Sequence, residues 1–156
     1  NPEMISNAYR KWYAEQGRLG LQDEPLYPGM FKLIHDLKNN GEFNIGVATN
    51  KSRIALNNGL KKHNLNEVFD ITLTMEEAKP KPDPDMAIQA MSKLNIEKKS
   101  TVIVGDTIND IGLGVNAGIN SIGVAWGYNS IEMLCNQGAD FIVKDSKELF
   151  DTIINL

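Results

Sequence analysis

Residues 101–110 read Thr-Val-Ile-Val-Gly-Asp-Thr-Ile-Asn-Asp. The run of β-branched apolar residues at its start is typical of a short buried strand. Asp106 follows this strand, and the helical pattern after Thr107 places Asp110 in the first turn of a helix. The sequence therefore predicts two carboxylates that converge at the carboxyl end of one strand.

The same strand-then-helix pattern continues on both sides of this stretch. Short apolar strands are predicted at 45–48, 70–73, 101–104, 121–124 and 141–143, and helices at 53–62, 85–94, 108–117, 130–137 and 147–154, with one more helix around Met30 to Leu37. Such alternation predicts a three-layer, Rossmann-like α/β fold, in which helices cover both faces of a mainly parallel sheet. An additional amphipathic helix is predicted over residues 2–17.

Composition narrows the possible functions. The 156 residues have a formal net charge of −4 without long blocks of like charge, so no basic surface for nucleic acid is expected. No apolar run is long enough to cross a membrane. Cys135 is the only cysteine, which fits a reducing, cytoplasmic setting.

Three predicted strand ends carry polar groups that could handle phosphate. Thr49 and Asn50 could cradle phosphate oxygens or merely cap the next helix. Lys79 could be a fixed cation in a proline-stiffened loop or a solvated lysine. Asp106 and Asp110 could bind a hard cation such as Mg²⁺, or serve as a helix cap and a solvated carboxylate.

Together, these segments resemble the haloacid dehalogenase superfamily. Residues 47–51 (Val-Ala-Thr-Asn-Lys) resemble its second motif, Lys79 with the prolines after it resembles the third, and Gly105, Asp106, Thr107 and Asp110 resemble the fourth. Residues 27–29 and 123–128 are similar to the phosphoglycolate phosphatase branch, although Trp126 and Tyr128 could equally be packing residues.

The resemblance implies a Mg²⁺-dependent phosphatase that acts on a small phosphorylated metabolite through a phosphoaspartate. It implies that Thr49 and the Asn50 backbone bind the phosphoryl group and that Lys79 balances its charge. It further implies that Asp106 ligates Mg²⁺, while Asp110 supports the metal or orients the lysine. Catalytic roles are thus expected for Thr49, Lys79 and Asp110, with Asp106 and Asp110 at the metal.

The first motif of the superfamily, which carries the aspartate nucleophile on a central strand, has no counterpart in this sequence. We therefore expect a helical-cap remnant and hinge over residues 1–26, and a core domain without its first strand over 27–156. Such a core would have two unpaired strand edges, no turnover by itself, and a tendency to form a homodimer or to swap elements with a second copy.

Two groups of alternatives remain open. Another member of the superfamily could act on sugar phosphates or pyrophosphate, or could be a phosphomutase. A protein of a different class could keep the site only as a noncatalytic module for phosphate or metal.

Overall fold

A computed structural model describes residues 24–156. The predicted helix at 2–17 lies outside the described residues, and the predicted boundary between 26 and 27 stays a prediction. Six α-helices occur in the described part: α1 (Met30–Asn40), α2 (Arg53–Lys62), α3 (Asp85–Leu94), α4 (Ile108–Ala117), α5 (Ile131–Gln137) and α6 (Ser146–Ile154). One short 3₁₀ helix, Lys98–Ser100, precedes the third strand.

Four of the helices begin at a residue whose side chain accepts a hydrogen bond from a backbone N–H of the first turn. These N-cap residues are Ser52, Thr107, Ser130 and Asp145. Capping supplies an acceptor to amide groups that have no carbonyl partner inside the helix. These short polar side chains therefore fix the points at which the chain turns from a loop into a helix.

Residues 24–156 contain five strands: β1 (Gly46–Thr49), β2 (Ile71–Thr74), β3 (Val102–Gly105), β4 (Asn120–Val124) and β5 (Phe141–Val143). Every pairing among them is parallel. The first three strands begin one residue later than predicted. The alternation of parallel strands and helices, and with it the α/β class, is confirmed. Because the carboxyl ends of parallel strands share one edge, the loops after β1, β2 and β3 can meet there.

Two apolar cores lie on opposite faces of the strands. One contains Leu73 together with side chains of α3 and α4, including Met86 and Leu113. The other contains Ile122 with side chains of α1 and α6, including Leu33 and Leu149. Helices cover both faces, as the predicted three-layer architecture requires.

The strands of residues 24–156 form two separate sheets, one of two strands and one of three. β1 pairs with β2, and β3 pairs with β4, which pairs with β5, but within residues 24–156 no strand joins β1 to β3. An apolar cavity of about 790 Å³ lies between them, lined in part by residues 46–48 of β1 and 102–104 of β3. The expectation of two unpaired strand edges is therefore confirmed for the described residues.

The described helices are all too short or too polar to span a membrane.

Candidate active site

Lys81 and Asp110 form the centre of the candidate site. The Lys81 Nζ lies 2.5 Å from Oδ1 of Asp110 and donates a second hydrogen bond, of 2.8 Å, to the carbonyl oxygen of Ala48. Only 13% of the Lys81 side chain and 8% of the Asp110 side chain are exposed. This pair links the carboxyl end of β1 to the first turn of α4.

The loop that carries Lys81 is held by the side chain of Asn50. Lys81 N donates to Oδ1 of Asn50 at 2.8 Å, and Nδ2 of Asn50 donates to the Lys81 carbonyl oxygen at 3.0 Å. Nδ2 of Asn116 also donates to the carbonyl oxygen of Pro82 at 2.9 Å. These bonds fix the backbone on each side of the lysine, so its ammonium group is delivered to one place.

The lysine at this place is not the predicted Lys79. Lys79 is exposed, and its backbone N–H donates to Oδ2 of Asp85 at 2.9 Å. Within residues 24–156, the lysine ammonium that contacts Asp110 belongs to Lys81. The second lysine of the proline-rich loop is the one that turns inward.

The buried Asp110 carboxylate accepts hydrogen bonds from two residues, Thr107 and Lys81. Its Oδ2 accepts hydrogen bonds from Thr107 N at 2.9 Å and from Thr107 Oγ1 at 2.6 Å, which completes the capping box of α4. Its Oδ1 accepts the bond from Lys81. Both oxygens are engaged, and these contacts fit the expected role of Asp110 in orienting a lysine, while its predicted place at the metal stays a prediction.

Gly105 is required where it stands because the Asp110 side chain packs against it. A Cβ at position 105 would lie 2.1 Å from the Cβ of Asp110, which is far inside contact distance. The glycine at the end of β3 therefore admits the carboxylate that binds Lys81. The sequence showed this glycine, but its steric purpose depends on the fold.

Asp106 follows β3, and the two oxygens of its carboxylate differ in their hydrogen bonds. Oδ2 accepts a hydrogen bond of 2.8 Å from Tyr128 N, and the Tyr27 hydroxyl lies 3.5 Å from the same oxygen. Partial burial and the negative charge of Asp106 raise the pKa of the Tyr27 hydroxyl. Oδ1 of Asp106 accepts no hydrogen bond from the described residues, so it can face a cation.

These groups provide part of a site for the expected Mg²⁺. Asp106 supplies a carboxylate oxygen, the kind of ligand that Mg²⁺ prefers. Among residues 24–156, however, no cluster of three or more His, Cys, Asp or Glu side chains could hold a metal. The described residues therefore fit as a contributor to a Mg²⁺ site, and further ligands must come from elsewhere or from water.

Thr49 ends β1 beside this centre. Its Oγ1 accepts a hydrogen bond of 3.1 Å from Lys51 N, so the hydroxyl organises the turn that leads into α2. The adjacent residue, Ala48, contributes the carbonyl that binds Lys81. Thr49 is thus next to the ammonium group, while its predicted bond to phosphate stays a prediction.

A second polar network supports the loops beside the site. The Arg53 guanidinium donates through Nε and Nη2 to the two carboxylate oxygens of Glu77, and through Nη1 to Oγ1 of Thr72. Thr74 donates through N and Oγ1 to Glu77 as well. The network joins the start of α2 to the end of β2, and nothing in the local sequence pattern indicated it.

The fold and this edge of the sheet define a doubly wound α/β protein with a lysine and carboxylates at the carboxyl ends of its strands. The haloacid dehalogenase-like hydrolase family matches residues 1–124, and the chain belongs to this family.

Known proteins show the same relationship. The chain is 32% identical over 150 residues to the pyrophosphatase PpaX of Bacillus velezensis, covering 94% of the chain and 66% of that protein. A predicted phosphatase from Clostridium acetobutylicum is 32% identical with a TM-score of 0.75, covering 83% of the chain and 60% of that structure.

A predicted phosphoglycolate phosphatase from Haemophilus somnus has the same fold, with a TM-score of 0.83 at 24% identity, over 92% of the chain and 64% of that structure. The chain thus spans 66% or less of the length of each of these three proteins.

Proposed function

We propose that the protein containing this chain is a Mg²⁺-dependent phosphatase for a small phosphorylated metabolite. The buried Lys81–Asp110 pair at the shared edge of β1 and β3 is the observation that carries the proposal. A phosphoryl group that binds there would meet a fixed ammonium group, and positioning with charge neutralisation supplies most of the catalysis in phosphoryl transfer.

Each residue of the site has one role in this proposal. The Thr49 hydroxyl and the Asn50 backbone N–H hydrogen-bond the phosphoryl oxygens, and Lys81 neutralises their charge. Asp110 holds the Lys81 ammonium in place. Asp106 contributes to the Mg²⁺ site, and the metal, when bound, would neutralise further phosphoryl charge.

Family membership supports a covalent route. An aspartate carboxylate would attack phosphorus, the alcohol would leave with a proton, and water would then hydrolyse the phosphoaspartate. The aspartate belongs to the first motif of the family, for which this sequence has no counterpart. We therefore propose that the chain by itself has no turnover.

Two candidate substrates are supported, a phosphoglycolate-like monoester and pyrophosphate. Residues 27–29 and 123–128 favour a phosphoglycolate-like monoester, whereas the 32% identity to a pyrophosphatase favours pyrophosphate. Hydrolysis of both compounds, with and without Mg²⁺, by a form extended upstream to include the first motif tests this. Turnover that is unchanged by removal of Mg²⁺, or absent with every phosphate ester tried, would contradict the proposal and favour a noncatalytic module.

Two further parts of the proposal concern the setting of the protein. A cytoplasmic location fits the free, exposed thiol of Cys135. Association with a second copy would cover the unpaired edges of β1 and β3. Sedimentation of the purified chain over a range of concentrations tests the second part.

A further inference from the structure

The loop that follows β4 folds over the turn that carries Asp106. Tyr128 N donates to Oδ2 of Asp106 at 2.8 Å, and Asn129 N donates to the Asp106 carbonyl oxygen at 3.0 Å. In the opposite direction, Ile108 N donates to Oδ1 of Asn129 at 2.9 Å. Residues 127–129, named here the clasp, therefore bind both the backbone and the side chain of this turn.

Gly127 brings the clasp into direct contact with the carboxylate. A Cβ at position 127 would lie 2.0 Å from the Cβ of Asp106 and 2.6 Å from its Oδ2. Gly127 is not among the glycines with positive φ in the described residues, so its requirement is space and not an unusual backbone. Any side chain at this position must displace Asp106.

The clasp forms a hydrogen bond to only one of the two carboxylate oxygens of Asp106. Oδ2 is held by a backbone N–H, which cannot rotate away as a side chain could. Oδ1 is left without a hydrogen bond from residues 24–156, on the side of the carboxylate that the clasp does not hold. A carboxylate with one oxygen fixed and the other open is prepared to bind a cation with little further ordering.

We propose that Gly127, Tyr128 and Asn129 are positioning residues that hold the Asp106 carboxylate in the orientation that binds Mg²⁺. This inference rests on the proposed function, because it takes Asp106 to be a metal ligand. Its new content is that the loop after β4 sets metal affinity through Asp106. The clasp itself needs no contact with metal or substrate.

The ring of Tyr128 is separate from this role. It is 85% exposed, so the residue acts through its backbone N–H and not through its side chain. Tyr128→Ala keeps that N–H and is a matched control. Gly59→Ala is a second control, because a Cβ at position 59 would have nothing within 4 Å.

The test compares the Mn²⁺ affinity of variants made in the form extended upstream to include the first motif, measured by water-proton relaxation, with Mn²⁺ as the probe for the Mg²⁺ site. Gly127→Ala and Asn129→Ala should each raise the dissociation constant by about 10- to 100-fold, the usual effect of losing a group that orients a ligand. The two controls should stay within about twofold of the parent chain. Asn129→Asp keeps an oxygen acceptor for Ile108 N and should restore most of the affinity.

A kinetic measurement distinguishes loss of Asp106 positioning from a general loss of structure. In a form that turns over, Asn129→Ala should raise the Mg²⁺ concentration needed for half-maximal rate, while KM for p-nitrophenyl phosphate at saturating Mg²⁺ stays near the parent value. Equal changes in KM and in the Mg²⁺ requirement would show a structural role only, and would overturn the inference. If Gly127→Ala does not fold, Asn129→Ala decides the question, since it adds no atoms.

Asp106→Asn distinguishes failure of this inference from failure of the proposed function. If Asp106→Asn weakens Mn²⁺ binding and both clasp variants do not, the clasp proposal is wrong and the metal role of Asp106 stands. If Asp106→Asn has no effect on Mn²⁺ binding by the form extended upstream to include the first motif, the metal role of Asp106 is wrong and the clasp proposal falls with it.

Discussion

Nζ of Lys81 and Oδ1 of Asp110 lie 2.5 Å apart and join residues that are 29 positions apart in the chain. The contact closes the carboxyl edge between β1 and β3, where no strand among residues 24–156 connects them. Removing one member of a buried ion pair leaves the other charge without its counter-ion, which costs more than the pair itself contributes.

Lys81→Met should destabilise the chain by about 3 kcal/mol, because it leaves the Asp110 carboxylate buried without its cation. Urea unfolding followed by circular dichroism measures this. Lys79→Met is the matched control and should change stability by less than about 0.5 kcal/mol, as expected for an exposed side chain. In a form that turns over, Lys81→Met should lower kcat by about 10²-fold or more, and Lys79→Met should not. A larger loss of kcat in Lys79→Met than in Lys81→Met would show that Lys79 neutralises the phosphoryl charge.

Thr107→Ala should destabilise the chain by about 1 kcal/mol, because α4 loses the hydroxyl that caps its first turn. Thr107→Ser keeps the hydroxyl and should retain most of the stability. The same unfolding measurement compares the two variants. Equal losses in Ala and Ser would show that the methyl group of Thr107, and not its cap, stabilises α4.

Asp106→Asn should weaken Mg²⁺ binding and reduce turnover by orders of magnitude in a form that turns over, because metal neutralisation of phosphoryl charge contributes several kcal/mol. The rate is measured against Mg²⁺ concentration with p-nitrophenyl phosphate. Asp36→Asn provides a control, since Asp36 pairs with Lys32 on the exposed side of α1. An unchanged rate at limiting Mg²⁺ would remove Asp106 from the metal site.

Glu77 should make stability depend on pH in the acid range. Hydrogen bonds from Arg53 and then from Thr74 lower the pKa of Glu77 from 4.5 to about 2 in the folded chain. A depressed pKa contributes stability above 4.5 that is lost as pH falls towards 2. Thermal unfolding at pH 6 and pH 3 should therefore show a smaller difference in Tm for Glu77→Gln than for the parent. Identical differences would mean that Glu77 has the same pKa when unfolded.

The chain as given should not hydrolyse p-nitrophenyl phosphate in the presence of Mg²⁺, since positioning and charge neutralisation cannot replace a covalent nucleophile and a proton donor. An upstream-extended form carrying the first motif, assayed beside it, should be active. Turnover by the chain alone that Asp106→Asn abolishes would show that another residue serves as the nucleophile.

Local sequence determined which segments are helices and which are strands. Periodicity of apolar residues gave the bounds of α2, α3 and α4 to the residue, and each strand to within one residue, because the pattern of burial follows directly from helix and strand geometry. Motif spacing likewise indicated the family, and it predicted that Asp106 follows β3 and that Asp110 lies in the first turn of α4.

Tertiary structure alone decided which lysine enters the site. Lys79 and Lys81 stand two positions apart in one proline-rich loop, and an extended loop, as the prolines predict, would place both on the same side, so the local pattern does not separate them. In the structure, Lys81 instead lies in a turn, where Asp83 N donates to the Pro80 carbonyl oxygen. Lys81 enters the site because the Asn50 side chain, in another loop, makes two hydrogen bonds to the Lys81 backbone. Asp110, which is buried against Gly105, then pairs with the Lys81 ammonium group. The contact of the clasp with Asp106 arises in the same way, because it joins residues distant in sequence whose proximity exists only after β3 and β4 have paired.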